Sequence, residues 1–185
     1  MALRQPFFRR LWARHSTCRI ELVLQLVPVT EGRLAIVRRR RIRGVRVMNS
    51  ITNTARQFFD ACESGKGWTI CRQWCTPDAS FAAQAEPLAD VRTLEQYTDW
   101  MKGLLEFMPD GRYELRSFAV DEERQDVSAY AVFKGTHTGE GGPCPPTGRQ
   151  VASDYVYVMF FEGGRIRHMQ KIWHAGLAMK ELGWV

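Results

Sequence analysis

From Met48 onward the sequence predicts an α+β domain in which a strongly curved antiparallel sheet wraps over three helices. Three observations predict it. Apolar residues recur at helical spacing as far as Met108 and at strand spacing after Asp110. The composition breaks at residue 47. And 185 residues, 45% hydrophobic and 25% charged, are ordinary material for a single core.

The first helix runs over Thr52–Ser64, where Ala55, Phe58, Phe59 and Cys62 share one side and Gly65 supplies the stop. The second, Trp68–Cys75, stacks Trp68, Cys71 and Cys75 before Pro77. Ala79–Ala85 reads as a short strand. The third helix is capped by Thr93, with Gln96 as its capping-box partner, and carries Leu94, Tyr97, Met101, Leu104, Leu105 and Met108 until Pro109. Tyr113–Val120 and Val127–His137 form a hairpin around the charged turn Asp121–Asp126. Four Gly and three Pro make 139–148 a loop. Gln150–Phe161 and Arg165–His174 form a second hairpin around Gly163-Gly164, and Leu177–Leu182 adds a last helical turn.

Residues 1–47 hold twelve Arg and two Glu, a net charge of +10, and the other 138 residues carry 14 basic against 18 acidic side chains, a net of −4. The chain's overall +6 therefore belongs to an arm, and the domain itself is not expected to bind nucleic acid. The arm reads as a mitochondrial-type presequence, a basic nucleic-acid arm, or a stretch outside the working protein. It is expected to be disordered or only locally helical, and dispensable for folding. No apolar run is long enough to span a membrane, which points to a cytoplasmic protein, or a mitochondrial one if the arm is a presequence. Cys18, Cys62, Cys71, Cys75 and Cys144 form no Cys-x-x-Cys pair, so reduced thiols are expected and no metal site.

His168 and His174 are six apart on one strand and share a face with Gln170 and Ile172, so two imidazoles and an amide can enter a cavity together. Asp154 is the one charged side chain between Gln150 and Phe161, in a run of Tyr, Val, Met and Phe. A carboxylate there is costly unless paired or protonated, which makes it a candidate acid or base. The same run is apolar on both faces. A strand with one face in water alternates apolar with polar, so a second copy is expected to cover the outer face as a homodimer. The Gly-rich loop lacks a following Lys-Ser/Thr and a Gly-x-Ser-x-Gly elbow is absent, so neither phosphate transfer nor serine hydrolysis is indicated.

Helices followed by a curved sheet, with Gly135-Thr136-His137-Thr138-Gly139, the loop Pro145-Pro146-Thr147-Gly148-Arg149 and an end near Glu181-Leu182-Gly183, resemble the SnoaL-like polyketide cyclases of the nuclear transport factor 2-like superfamily over about 53–184. The resemblance implies a cone-shaped α+β barrel with a deep apolar pocket, dimeric and free of cofactors. It also implies a His and an Asp for acid/base work on a polyketide carbon acid, which fall by type on His137 and Asp154. The expected function is then a cofactor-independent cyclase, isomerase or dehydratase acting on a small hydrophobic carbonyl or polyketide-like compound. His168, Gln170 and His174 would orient the substrate, and Tyr97, Trp100 and Tyr157 would form apolar walls. The alternative is a binding or dimerisation module of the same fold without chemistry.

Overall fold

The computed structural model describes residues 24–28, 34–38 and 43–185, and the chain divides into two units, 1–42 and 43–185. In the first unit β1 (Leu24–Pro28) pairs antiparallel with β2 (Leu34–Arg38). A disordered or locally helical arm does not include this hairpin, and two apolar runs with Gly32 between them account for it. Residues 43–47 of the arm belong to the helix that opens the second unit, and the rest of the arm, 1–23, 29–33 and 39–42, lies outside the described residues.

The second unit opens with α1 (Arg43–Glu63). It begins well before Thr52, and Ile51 extends the buried stripe of Ala55, Phe58, Phe59 and Cys62 by one turn. Gly65 ends it at φ 66°: its N–H bonds to Cys62 O and that of Lys66 to Ala61 O, a Schellman stop that only a residue at ease with positive φ allows. This stop leaves Glu63 as the last helical residue. A single turn, α2 (Trp68–Cys71), and a 3-10 turn (Arg72–Trp74) replace one longer second helix. Next come β3 (Cys75–Ala83) and α3 (Leu94–Phe107). In the capping box of α3, Thr93 Oγ1 accepts from Gln96 N at 3.2 Å and Gln96 Oε1 accepts from Thr93 N at 3.2 Å.

Four strands then meander: β4 (Arg112–Asp121), β5 (Asp126–Thr136), β6 (Gln150–Glu162) and β7 (Arg165–Trp173), before α4 (Ala175–Leu182). The five strands of this unit lie in the order β3-β7-β6-β5-β4. All neighbours are antiparallel except β3 and β7, which run parallel, so the sheet is mixed where an antiparallel one is expected. The pairing of β3 with β7 is the cause: it joins the sheet's first and last strands in chain order, and no local turn signals it. Gly163 and Gly164, at φ 57° and 81°, close the β6–β7 hairpin in the two-residue turn whose twist matches the strands. Register shifts at Leu115/Ser117, Phe160/Phe161 and Cys75/Ser80 bend the sheet. Cys62, Cys71 and Cys75 are buried free thiols. No described helix is long and apolar enough to cross a membrane.

Candidate active site

Two apolar patterns each carry a charge inward. On α1 the stripe Ile51, Ala55, Phe59 reaches Glu63 one turn later, and on β7 the buried face of Met169, Lys171 and Trp173 sets an amine between two apolar side chains. Glu63 is 2% exposed and Lys171 6%. Two tyrosines join them. Lys171 Nζ donates to Tyr97 Oη at 2.9 Å, the Tyr97 and Tyr157 hydroxyls are hydrogen-bonded to each other, and Tyr157 Oη donates to Glu63 Oε1. Each hydroxyl has one proton, so the bonds must point one way, from amine through Tyr97 and Tyr157 to carboxylate.

Burial pushes the Glu63 carboxyl up from its ordinary range, against the pull of Lys171 and the tyrosine hydroxyls. Its place at the C-terminal end of α1, where the helix dipole is negative, adds to that push. Burial brings Lys171 down to about 8, against the pull of Glu63. Tyr97, Tyr155 and Tyr157 are driven far up by burial, so their hydroxyls stay neutral and serve as proton donors and acceptors. Tyr155 Oη lies close enough to Glu63 to help keep it charged, while among the described residues it completes no hydrogen bond of full geometry.

This cluster borders a cavity of about 440 Å³. Trp100, Leu104, Phe107 and Met108 come from α3 and its end, Phe133 from β5, Val151, Ser153 and Tyr155 from β6, Trp173 from β7, and Met179 and Leu182 from α4. Glu63, Lys171, Tyr155 and Ser153 are the polar groups in an otherwise apolar wall. Ser153 is engaged, because its Oγ accepts from Trp173 Nε1 at 2.7 Å and fixes that ring. Such a cavity, apolar with a few convergent polar groups, suits a small hydrophobic molecule carrying a polar function.

The residues expected from the sequence divide sharply. Tyr97, Trp100 and Tyr157 belong here: Trp100 lines the cavity, while Tyr97 and Tyr157 stand behind it as polar links rather than as apolar walls. Asp154 does not. It is exposed on the opposite face of β6, where Tyr130 Oη donates to it at 2.8 Å, because the inward residues of that strand are Ser153, Tyr155 and Tyr157. His137 is fully buried but lies outside the cavity wall. Its Nδ1 accepts from Trp184 Nε1 at 3.1 Å and from Thr147 N at 3.3 Å, so it anchors the Gly/Pro loop and the C-terminus. The structure therefore does not bring His137 and Asp154 together, and the acid and base that it places at the cavity are Glu63 and Lys171.

His168 and Gln170 face outward, since β7 turns Met169, Lys171 and Trp173 inward; His168 Nδ1 instead contacts Ser80 Oγ at 2.8 Å. His174 lies past the strand, where its Nδ1 caps α4 by accepting from Leu177 N at 3.1 Å. Glu63 and Lys171 were open to detection from the sequence. A charge in phase with a buried stripe is the signal, at Phe59 plus four and at Met169 plus two. Among the described residues no group of three His, Cys, Asp or Glu is placed to hold a metal.

The sequence profile of the SnoaL-like polyketide cyclases matches residues 53–180. A comparison with curated proteins finds no significant match. Among solved structures, a protein of Jannaschia sp. CCS1 provisionally described as a SnoaL-like polyketide cyclase is 20% identical with a TM-score of 0.60, over 72% of this chain and 92% of its own. IdmH of Streptomyces antibioticus, provisionally described as a polyketide cyclase, is 22% identical with a TM-score of 0.58, over 72% and 98%. AclR of Streptomyces galilaeus, provisionally described as a hydroxylase, is 19% identical with a TM-score of 0.60, over 75% and 87%. These likenesses show the shared fold, and the profile, which spans more than half the sequence and nearly all of the second unit, shows the family: the chain belongs to the SnoaL-like polyketide cyclases.

Proposed function

We propose that the chain is a cofactor-independent acid/base enzyme acting on a small hydrophobic carbonyl or polyketide-like compound held in the cavity. One observation carries this reading: a buried carboxylate and a buried amine border the same apolar space and are wired together by two tyrosine hydroxyls. Glu63 takes the proton next to the substrate carbonyl. Its raised proton affinity suits that task near neutral pH. Lys171 and the free Tyr155 hydroxyl face the oxygen that gains charge, and the apolar walls strengthen those contacts by excluding water.

The test needs no natural substrate. In D2O, the protein should accelerate deuterium exchange next to the carbonyl of 2-tetralone, followed by NMR. Glu63→Gln keeps the shape but cannot accept a proton, and should slow the exchange by about 100-fold or more, the usual worth of a positioned base. Undiminished exchange by that variant would overturn the role of Glu63. Tight binding of the ketone with no exchange would favour a binding module.

We propose further that the outer face of the sheet pairs with a second copy. Ile172, 59% exposed, lies beside Val156, which in turn lies beside Tyr130, 38% exposed. A contiguous apolar patch of this kind asks for a cover. Sedimentation at micromolar concentration should give a dimer, and Ile172→Asp a monomer with an unchanged fold. A monomeric wild type refutes the pairing.

A further inference from the structure

We propose that Lys171 Nζ is a nucleophile that condenses with an aldehyde or ketone in the cavity to form an imine, so that the proton abstraction proposed above proceeds through an enamine. The inference rests on that reading of the site but adds a covalent step to it. Its basis is the surroundings of the amine. An ammonium has three donors to satisfy, yet among the described residues Nζ makes one hydrogen bond, to Tyr97 Oη, and no ion pair. Five aromatic rings surround it, the nearest Trp173 at 4.7 Å and Tyr155 at 5.0 Å. Rings of this kind favour a cation, while burial disfavours one and, against the pull of Glu63 and Cys62, brings the amine down to about 8, so neutral, nucleophilic amine is present near neutral pH.

The hydrogen-bonded chain supplies the proton movements. The Lys171 ammonium passes a proton to Tyr97, Tyr97 passes one to Tyr157, and Tyr157 passes one to Glu63, leaving a neutral amine and a carboxylic acid. The nitrogen lone pair forms a bond to the carbonyl carbon while the carbonyl π pair moves to oxygen, which takes the proton lost by nitrogen. The carbinolamine then loses its hydroxyl as water, the proton for which comes from Glu63, and the nitrogen lone pair closes the C=N bond. The products are a protonated imine, one water and a Glu63 carboxylate. That carboxylate borders the same cavity and removes the adjacent C–H proton to give the enamine.

The chain contains five lysines, Lys66, Lys102, Lys134, Lys171 and Lys180, so trapping can be mapped completely. The full chain is incubated with hydrocinnamaldehyde and sodium cyanoborohydride from about pH 6 to about pH 10, digested, and each lysine peptide quantified by mass spectrometry. The N-alkyl adduct should form at Lys171 at least about tenfold faster than at any other lysine. Relative to the others, its rate should climb with pH and level off near 8, while the exposed lysines keep climbing toward their ordinary range. Glu63→Gln should move the levelling-off of the Lys171 rate to lower pH, because the amine loses the carboxylate that holds its proton on, and should lower the plateau at Lys171 alone, because the departing hydroxyl loses its proton donor. An adduct at Lys171 no faster than at Lys66 or Lys180 overturns the imine, and this readout needs no variant to fold. Exchange of 2-tetralone without trapping removes the imine but keeps Glu63 as the base. Trapping without exchange keeps the imine and removes the carbanion chemistry.

Discussion

Glu63→Leu alone is expected to lower the unfolding free energy by about 3–5 kcal/mol, the usual cost of leaving a buried charge without its opposite, here one reached through two tyrosine hydroxyls. Glu63→Leu combined with Lys171→Met should return to within about 2 kcal/mol of the parent, because apolar replacement of both members is often neutral or better and the hydroxyls left unpaired cost about 1–3 kcal/mol. The reason is the burial of both groups in one network. Without Glu63, Lys171 loses the neighbour that holds its proton affinity up. The single variant must then shed that proton on folding. The parent sheds the same proton above about 8, so the variant gains on it only from the variant's own lower folded value up to about 8. There the variant's unfolded chain binds more protons than its folded one and its stability rises with pH, while Lys171 of the parent keeps its proton in both states. Urea titrations at about pH 7 and about pH 10 should therefore show the single variant's deficit shrinking at the higher pH. A double variant as unstable as the two single changes added together would show that the pair is not coupled.

What the sequence discloses about this fold depends on how local the cause is. The capping box of Thr93 and Gln96 and the Gly163-Gly164 turn are contained in a few consecutive residues, and the elements they begin or join lie where the spacing puts them. The parallel pairing of β3 with β7 depends on strands far apart in the chain, and nothing local encodes it. The site is less legible for a different reason. A strand offers two faces at a period of two, and the sequence does not say which one the helices cover. On β7 one face offers His168 and Gln170, the other Lys171 and Trp173, and α1 packs over the second. On β6, Val156 and Val158 sit on the same outer face as Asp154, so an exposed carboxylate seemed buried. Glu63 was visible in the helical stripe, though a lone acid on a stripe does not name its partner. Its link to Lys171 is made by Tyr97 and Tyr157, which come from a third helix and a middle strand.

Gly139→Ala is expected to be severe, whereas Gly103→Ala in the cavity wall should be harmless. Gly139 begins the Gly/Pro loop where it crosses the end of α3, and Thr138 N and Gly139 N both donate to Phe107 O, at 3.1 and 2.9 Å. A Cβ on Gly139 would lie 2.0 Å from Glu106 O and 3.0 Å from Phe107 Cα. These are main-chain atoms at the end of a helix and cannot turn aside as a side chain could. The loop must lift off α3, giving up two hydrogen bonds worth about 1 kcal/mol each in addition to the cost of overpacking, about 1–3 kcal/mol. A total of about 3–5 kcal/mol lowers the melting temperature by about 6–20 °C in a protein of this size. Phe107 and Met108 on one side and Pro143 on the other line the cavity, so ketone binding should weaken with the loss of stability. Gly103 offers the control. It also borders the cavity, but a Cβ there meets nothing within 4 Å, and alanine in a helix interior is favoured over glycine by about 1 kcal/mol. Thermal melts of the two variants should therefore move in opposite directions. A Gly139→Ala melt within about 2 °C of the parent would mean that the loop is not held against α3 as described.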